Sequence, residues 1–115
     1  RMAVATGKSR AGLQRSMQTS GLAMHFETSR CADQCTSKPA PDMVLEILSE
    51  TGVEPGEALV IGDTSFDLLM ATNAGVRSAA VSYGVHAIET LERLEPIFTL
   101  DSMMELPAKL KAVDV

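Results

Sequence analysis

The chain has 115 residues, 45% hydrophobic and 22% charged, with a formal net charge of −5. That length allows one domain at most, and the composition is that of a folded globular protein whose acidic balance excludes a generally basic nucleic-acid-binding surface. Two cysteines, Cys31 and Cys35, are too few for a disulfide framework or a zinc site, and no apolar run is long enough to span a membrane as a helix.

In chain order, Met2–Ala5 is a short apolar run ending in Thr6-Gly7 and reads as a buried strand. Ser9 suits the cap of a helix running to about Ser20, with Leu13 and Met17 on one face and Gly21 as its stop. Phe26–Arg30 reads as a short strand. The stretch SKPAPD follows, in which Pro41 and Asp42 suit the first turn of a helix: Pro loses no hydrogen bond there, and Asp meets the positive end of the dipole. Val44, Ile47 and Leu48 form the expected buried stripe, and Gly52 the stop. Ala58–Ile61 is the clearest strand. Gly62-Asp63-Thr64 comes next, then a helix over Ser65–Ala74 stopped at Gly75. A strand is predicted over Ser78–Ser82, a helix over Ala87–Glu95, a strand over Ile97–Leu100 and a last helix over 102–112. Strands alternating with helices through short links predict an α/β fold with a parallel sheet and helices on its faces.

Gly7-Lys8-Ser9 has the look of a P-loop ending. The full pattern needs Gly where this chain has Met2, and the apolar strand leaves no room for a phosphate-wrapping loop. A strand ending in Thr-Gly does place a hydroxyl and backbone N–H groups at the carboxyl edge of a parallel sheet, where such folds bind ligands. Taken alone, this is a weak signal, since a Thr at a strand end is usually only a helix cap. Three other residues strengthen the ligand reading. Lys38 would most often be a solvated surface charge, but it precedes a helix N-terminus, where a second positive charge is unfavourable unless an anion is present. Asp63 ends the strongest strand and Asp67 lies one helical turn on. Two converging carboxylates repel each other, and a shared cation such as Mg2+ explains them better than two caps do. Charge is also divided along the chain. Residues 1–41 carry six Lys/Arg against two acids, and residues 42–115 carry four against thirteen. A basic segment facing an acidic one suits a site for both phosphate and metal, although ordinary solvated helix faces would divide charge in the same way. His25 and His86 read as surface or capping residues; Tyr83-Gly84, after a strand at the active edge, reads as a plain turn ahead of a shaper of the pocket, and Lys8 and Arg10 as solvated helix charges ahead of contacts to substrate or cap.

With these residues in place, the sequence resembles the haloacid dehalogenase-like hydrolases, and within them the phosphoglycolate-phosphatase-like group. VATGK resembles the second family motif, SKPAPD the third and LVIGDTSFDLLMATNAG the fourth, so the likeness runs through nearly the whole chain. It implies a Rossmann-like three-layer α/β/α core. It implies that Thr6 and Gly7 hold the phosphoryl group, that Lys38 neutralises nucleophile and phosphate, that Asp63 ligates Mg2+, and that Asp67 supports the metal shell or Lys38. The implied partner is a small-molecule phosphate ester, with no nucleic acid and no membrane. The implied compartment is cytoplasmic, in keeping with reduced cysteines.

The family's first motif, DxDGT, supplies the nucleophile and the acid/base from a central strand. This chain has no DxD. Residues 1–115 are therefore expected to form a partial core domain carrying the second to fourth motifs, with the first strand and a helical cap lying upstream of Arg1. The resemblance implies an Mg2+-dependent phosphatase acting through an aspartyl-phosphate in the longer protein, with this chain inactive alone. The alternative is a non-catalytic partial domain or pairing module. A phospho-receiver domain is rejected, because there the acidic pair precedes the Lys, and here Lys38 comes first.

Overall fold

The computed structural model describes residues 1–113. Three long helices begin and end on local signals. In α1 (Arg10–Ser20), the Ser9 hydroxyl accepts from the Gly12 N–H at 3.1 Å, satisfying one of the donors a helix start leaves free. Asp42 stands in the first turn of α2 (Asp42–Thr51). At α3 (Ser65–Ala74), Thr64 and Asp67 cap each other reciprocally. The helices end at Gly21, Gly52 and Gly75, with φ of 71°, 73° and 74°, the left-handed conformation that glycine adopts without strain.

The strands are all parallel, but they form two groups. β1 (Ala3–Thr6) pairs with β2 (Thr28–Cys31), Ala3 opposite Thr28 and Thr6 opposite Cys31. β3 (Leu59–Gly62), β4 (Arg77–Val81) and β5 (Phe98–Leu100) form the second group in that order. Among the described residues no ladder joins β1 to β3. Helices connect the two groups instead. Met43 and Val44 of α2 pack with Met70, Ala71 and Ala74 of α3, and Ala5 of β1 and Val60 of β3 lie against the same cluster. Met43 and Met70 are almost wholly buried, and burying a side chain of that size contributes about 1.5–3 kcal/mol. A second cluster joins Leu68 of α3 and Ala80 of β4 to Leu91 of α4 (Ile88–Glu92).

Some expectations shift. On α2 the buried residues are Met43 and Val44, with Ile47 and Leu48 only half-buried. The helix packs on α3 as well as on the strands, so its covered stripe is turned toward Met43. Helix α4 is shorter than the predicted Ala87–Glu95: past Glu92 the backbone tightens, the Leu94 and Glu95 N–H groups donating three residues back to Leu91 and Glu92, and Glu95 takes a positive φ of 57° ahead of Pro96. The predicted 102–112 helix divides into a 3-10 turn at Met103–Glu105, capped by the Ser102 hydroxyl, and α5 (Leu106–Ala112), with Pro107 in its first turn. Among the described residues no helix is long and apolar enough to cross a membrane.

Candidate functional site

The carboxyl edge of the strands opens on a cavity of about 490 Å³ whose lining includes Ala5, Lys38, Gly62, Asp63, Asp67 and Tyr83. Three of the sequence-predicted residues thus meet. Thr6 and Gly7 follow Ala5 directly but do not themselves line the cavity. The Thr6 hydroxyl accepts from the Lys8 N–H at 3.1 Å. A groove of about 560 Å³ between α1 and β2 is slightly larger, but its two charged residues are already engaged. There Glu27 pairs with Arg1, and Arg10 donates to the Ser29 hydroxyl and carbonyl and to Gln34 Oε1. Arg10 is therefore a half-buried tie between α1 and the end of β2, not the solvated charge expected from sequence. Chemistry, more than size, singles out the smaller cavity.

Lys38 Nζ donates to Asp67 Oδ1 at 2.5 Å, with only 19% and 9% of the two side chains exposed. A buried pair needs its remaining hydrogen bonds satisfied, and the Asp67 carboxylate finds them. Asp67 Oδ2 accepts from the Thr64 N–H at 3.1 Å and from the Thr64 hydroxyl at 2.9 Å, while the Asp67 N–H donates back to that hydroxyl at 3.2 Å. The turn carrying Lys38 is tied to α3 by Asn73, whose Nδ2 donates to the Pro39 carbonyl at 2.9 Å. Gly62 makes room for this arrangement. A Cβ there would lie 2.2 Å from the Asp67 Cβ, so β3 and α3 approach closely only because position 62 has no side chain.

Asp63 is held differently. Its Oδ2 accepts from the Val85 N–H at 3.0 Å and its carbonyl from the His86 N–H at 3.1 Å. Among the described residues its Oδ1 has no hydrogen-bond partner. Position 84 must also be glycine, since a Cβ there would fall 2.1 Å from the Asp63 Cβ. The loop after β4 is thus part of the site, where the sequence favoured a plain turn at Tyr83-Gly84 over a shaper of the pocket. Gly84 was the one available signal.

Mg2+ takes oxygen ligands and is commonly held by one or two carboxylates, with water and substrate oxygens completing its octahedron. Asp63 offers an unengaged oxygen, whereas both Asp67 oxygens are occupied. Among the described residues no group of three or more His, Cys, Asp or Glu could hold a metal. The donor set fits a cation carried by Asp63 and completed from outside the described residues, with Asp67 acting through Lys38, and does not fit an enclosed all-protein cage.

Parallel strands alternating with helices, with a buried Lys–Asp pair and a second Asp at their carboxyl edge, define an α/β protein with a polar site at the strand ends. The chain belongs to the haloacid dehalogenase-like hydrolase family, whose sequence profile matches residues 1–81. It is 34% identical over 106 residues to the probable phosphatase IndB of Dickeya dadantii, covering 91% of this chain and 46% of that protein. It is 30% identical over 106 residues to the pyrophosphatase PpaX of Bacillus velezensis, covering 91% and 49%. A solved haloacid-dehalogenase-superfamily hydrolase of subfamily IA from Geobacter sulfurreducens matches with a TM-score of 0.77 and 27% identity, over 94% of this chain and 51% of that one. The chain spans about half the length of the relatives it matches.

Proposed function

We propose that this chain forms the phosphate- and metal-handling part of an Mg2+-dependent phosphatase that hydrolyses a small-molecule phosphomonoester of the phosphoglycolate type. The observation that supports this most is the buried Lys38–Asp67 pair beside Asp63 at one strand edge. An ammonium has three donors. Asp67 takes one, fixing the group in place, and the rest serve an anion in the cavity. Thr6 and the Gly7 N–H follow Ala5 at the same edge and hold the phosphoryl oxygens. Mg2+ at Asp63 supplies charge neutralisation on those oxygens. The nucleophile is a carboxylate of a DxDGT strand, which this chain does not contain. Its oxygen bonds to phosphorus as the bond to the leaving alkoxide breaks, and the second Asp of that strand protonates the leaving oxygen. Water then attacks phosphorus, releasing inorganic phosphate and restoring the carboxylate.

The pyrophosphatase name of the Bacillus relative favours a second reading, in which the leaving group is phosphate itself. One experiment addresses both. In a protein that carries a DxDGT strand together with this chain, phosphate release from phosphoglycolate, p-nitrophenyl phosphate and pyrophosphate is measured with and without Mg2+. The expected result is Mg2+-dependent turnover, lowered about 100-fold or more by Asp63→Asn, the scale on which a lost transition-state contact is felt. Undiminished turnover in excess chelator would sink the metal assignment. Turnover of pyrophosphate with phosphoglycolate ignored would change the substrate class.

A further inference from the structure

The segment from Ser82 to Ala87 carries no recognisable motif, yet it wraps Asp63. Its backbone gives Asp63 two hydrogen bonds, from the Val85 N–H to Oδ2 at 3.0 Å and from the His86 N–H to the carbonyl at 3.1 Å. Gly84 lies so close that a Cβ would fall 2.1 Å from the Asp63 Cβ. Such a clamp holds a side chain only if the loop itself is held. The anchor is His86: its Nδ1 accepts the Ser65 N–H at 2.9 Å. That N–H is the first of α3, one of the donors a helix start leaves without an internal partner. The imidazole also leans on Phe66, ring centroids 5.8 Å apart at 60°. One ring therefore ties the loop after β4 to the residue two positions beyond Asp63.

We propose that His86 is a positioning residue for Asp63. By accepting the Ser65 N–H it pins the Ser82–Ala87 loop to the start of α3, and the pinned loop fixes the Asp63 carboxylate with Oδ1 left for a cation. The inference rests on the reading of Asp63 as the Mg2+ carrier. It predicts that the acceptor nitrogen matters and that the ring surface does not. His86→Phe keeps the ring beside Phe66 and loses the acceptor. His86→Asn loses the ring and places an amide oxygen near the position of Nδ1.

The test uses the chain co-expressed with a segment carrying the DxDGT strand, and two readouts, Mg2+ titration by calorimetry and hydrogen exchange of the 63–69 backbone by mass spectrometry. The expected result is that His86→Phe weakens Mg2+ binding about tenfold, the scale for losing a residue that orients a metal ligand, and speeds exchange of the segment. His86→Asn should stay within about twofold of the wild type, on the same basis. Unchanged affinity in His86→Phe, or an equal loss in both variants, would overturn the proposal. If the unaltered complex binds no Mg2+, the reading of Asp63 as its carrier fails, and exchange alone decides the role of His86. Faster exchange in His86→Phe but not in His86→Asn upholds it, and unchanged exchange refutes it. Should His86→Phe fail to fold, Gly84→Ala presses on Asp63 from the same loop. It should also weaken Mg2+ binding, and unaltered affinity there would count against the clamp.

Discussion

Asp63 and Asp67 stand four residues apart, yet their carboxylates are set to different tasks, and substitution should separate them. Both Asp67 oxygens accept from fixed donors, Lys38 on one side and Thr64 on the other. Asparagine has one acceptor oxygen, so Asp67→Asn must turn an N–H group toward one of these donors and leave the Lys38 charge unmatched. Removing one partner of a buried pair costs about 3–5 kcal/mol. Asp67→Asn should therefore lower unfolding stability by roughly that amount in urea titrations. Asp63→Asn keeps an oxygen for the Val85 N–H, so its stability should change by less than about 1 kcal/mol, the size of an ordinary neutral hydrogen bond. Equal stability losses in the two variants would contradict the division of roles. The sequence made the two residues visible through their spacing after a strand. It could not show which one is spent on Lys38, because Lys38 and the loop at 82–87 reach the site from distant parts of the chain.

Elements were legible where their signals are local. The boundaries Ser65 and Ala74 of α3 follow from a cap, an acidic residue in the first turn and a terminal glycine, all within a few residues. The Arg10 tie and the Met43 side of α2 were not legible, because both depend on which neighbour an element packs against. The join between β2 and α2 is of this second kind. Arg30 on β2 bridges Glu46 and Glu50 on α2 at 3.0 Å each, and the Cys35 thiol also donates to Glu46 at 3.2 Å. The Cys35 and Arg30 hydrogen bonds hold the Glu46 carboxyl below its ordinary range. Those from Thr28 and Arg30 do the same for Glu50. A carboxylate whose pKa is lowered by folding contributes stability above its unfolded value and loses it as pH falls through the lowered folded value. The stability of the chain should therefore decline through the acidic carboxylate range. Arg30→Ala should flatten that decline while lowering stability at neutral pH. Both glutamates are about half exposed, so the effect is small at high salt. Parallel acid limbs for Arg30→Ala and the unaltered chain, by urea unfolding at stepped pH, would rule the bridge out as a contributor.

On the scale of the whole molecule, the decisive feature is the break between the two strand groups. β1 and β3 both pack against the cluster formed by α2 and α3, yet no ladder joins them among the described residues. Facing strand edges without partners expose N–H and C=O groups that seek another strand. The cavity with Lys38, Asp63 and Asp67 has Ala5 of β1 and Ile61 and Gly62 of β3 in its lining, so a strand inserted between the groups would end at the polar site. A DxDGT strand placed there would bring its first carboxylate to the phosphoryl group and supply the one reactive part that Thr6, Lys38 and Asp63 do not replace. Two outcomes follow from one preparation. The chain alone should show no Mg2+-dependent hydrolysis of p-nitrophenyl phosphate and should self-associate in sedimentation, as the pairing-module alternative also requires. Co-expression with a segment carrying DxDGT and its strand should restore a discrete one-to-one complex and Mg2+-dependent turnover together. If the complex forms without turnover, the chain pairs but does not serve as the catalytic half. If the chain alone turns over substrate and Asp63→Asn abolishes it, the nucleophile lies within these residues and the inserted-strand account is wrong.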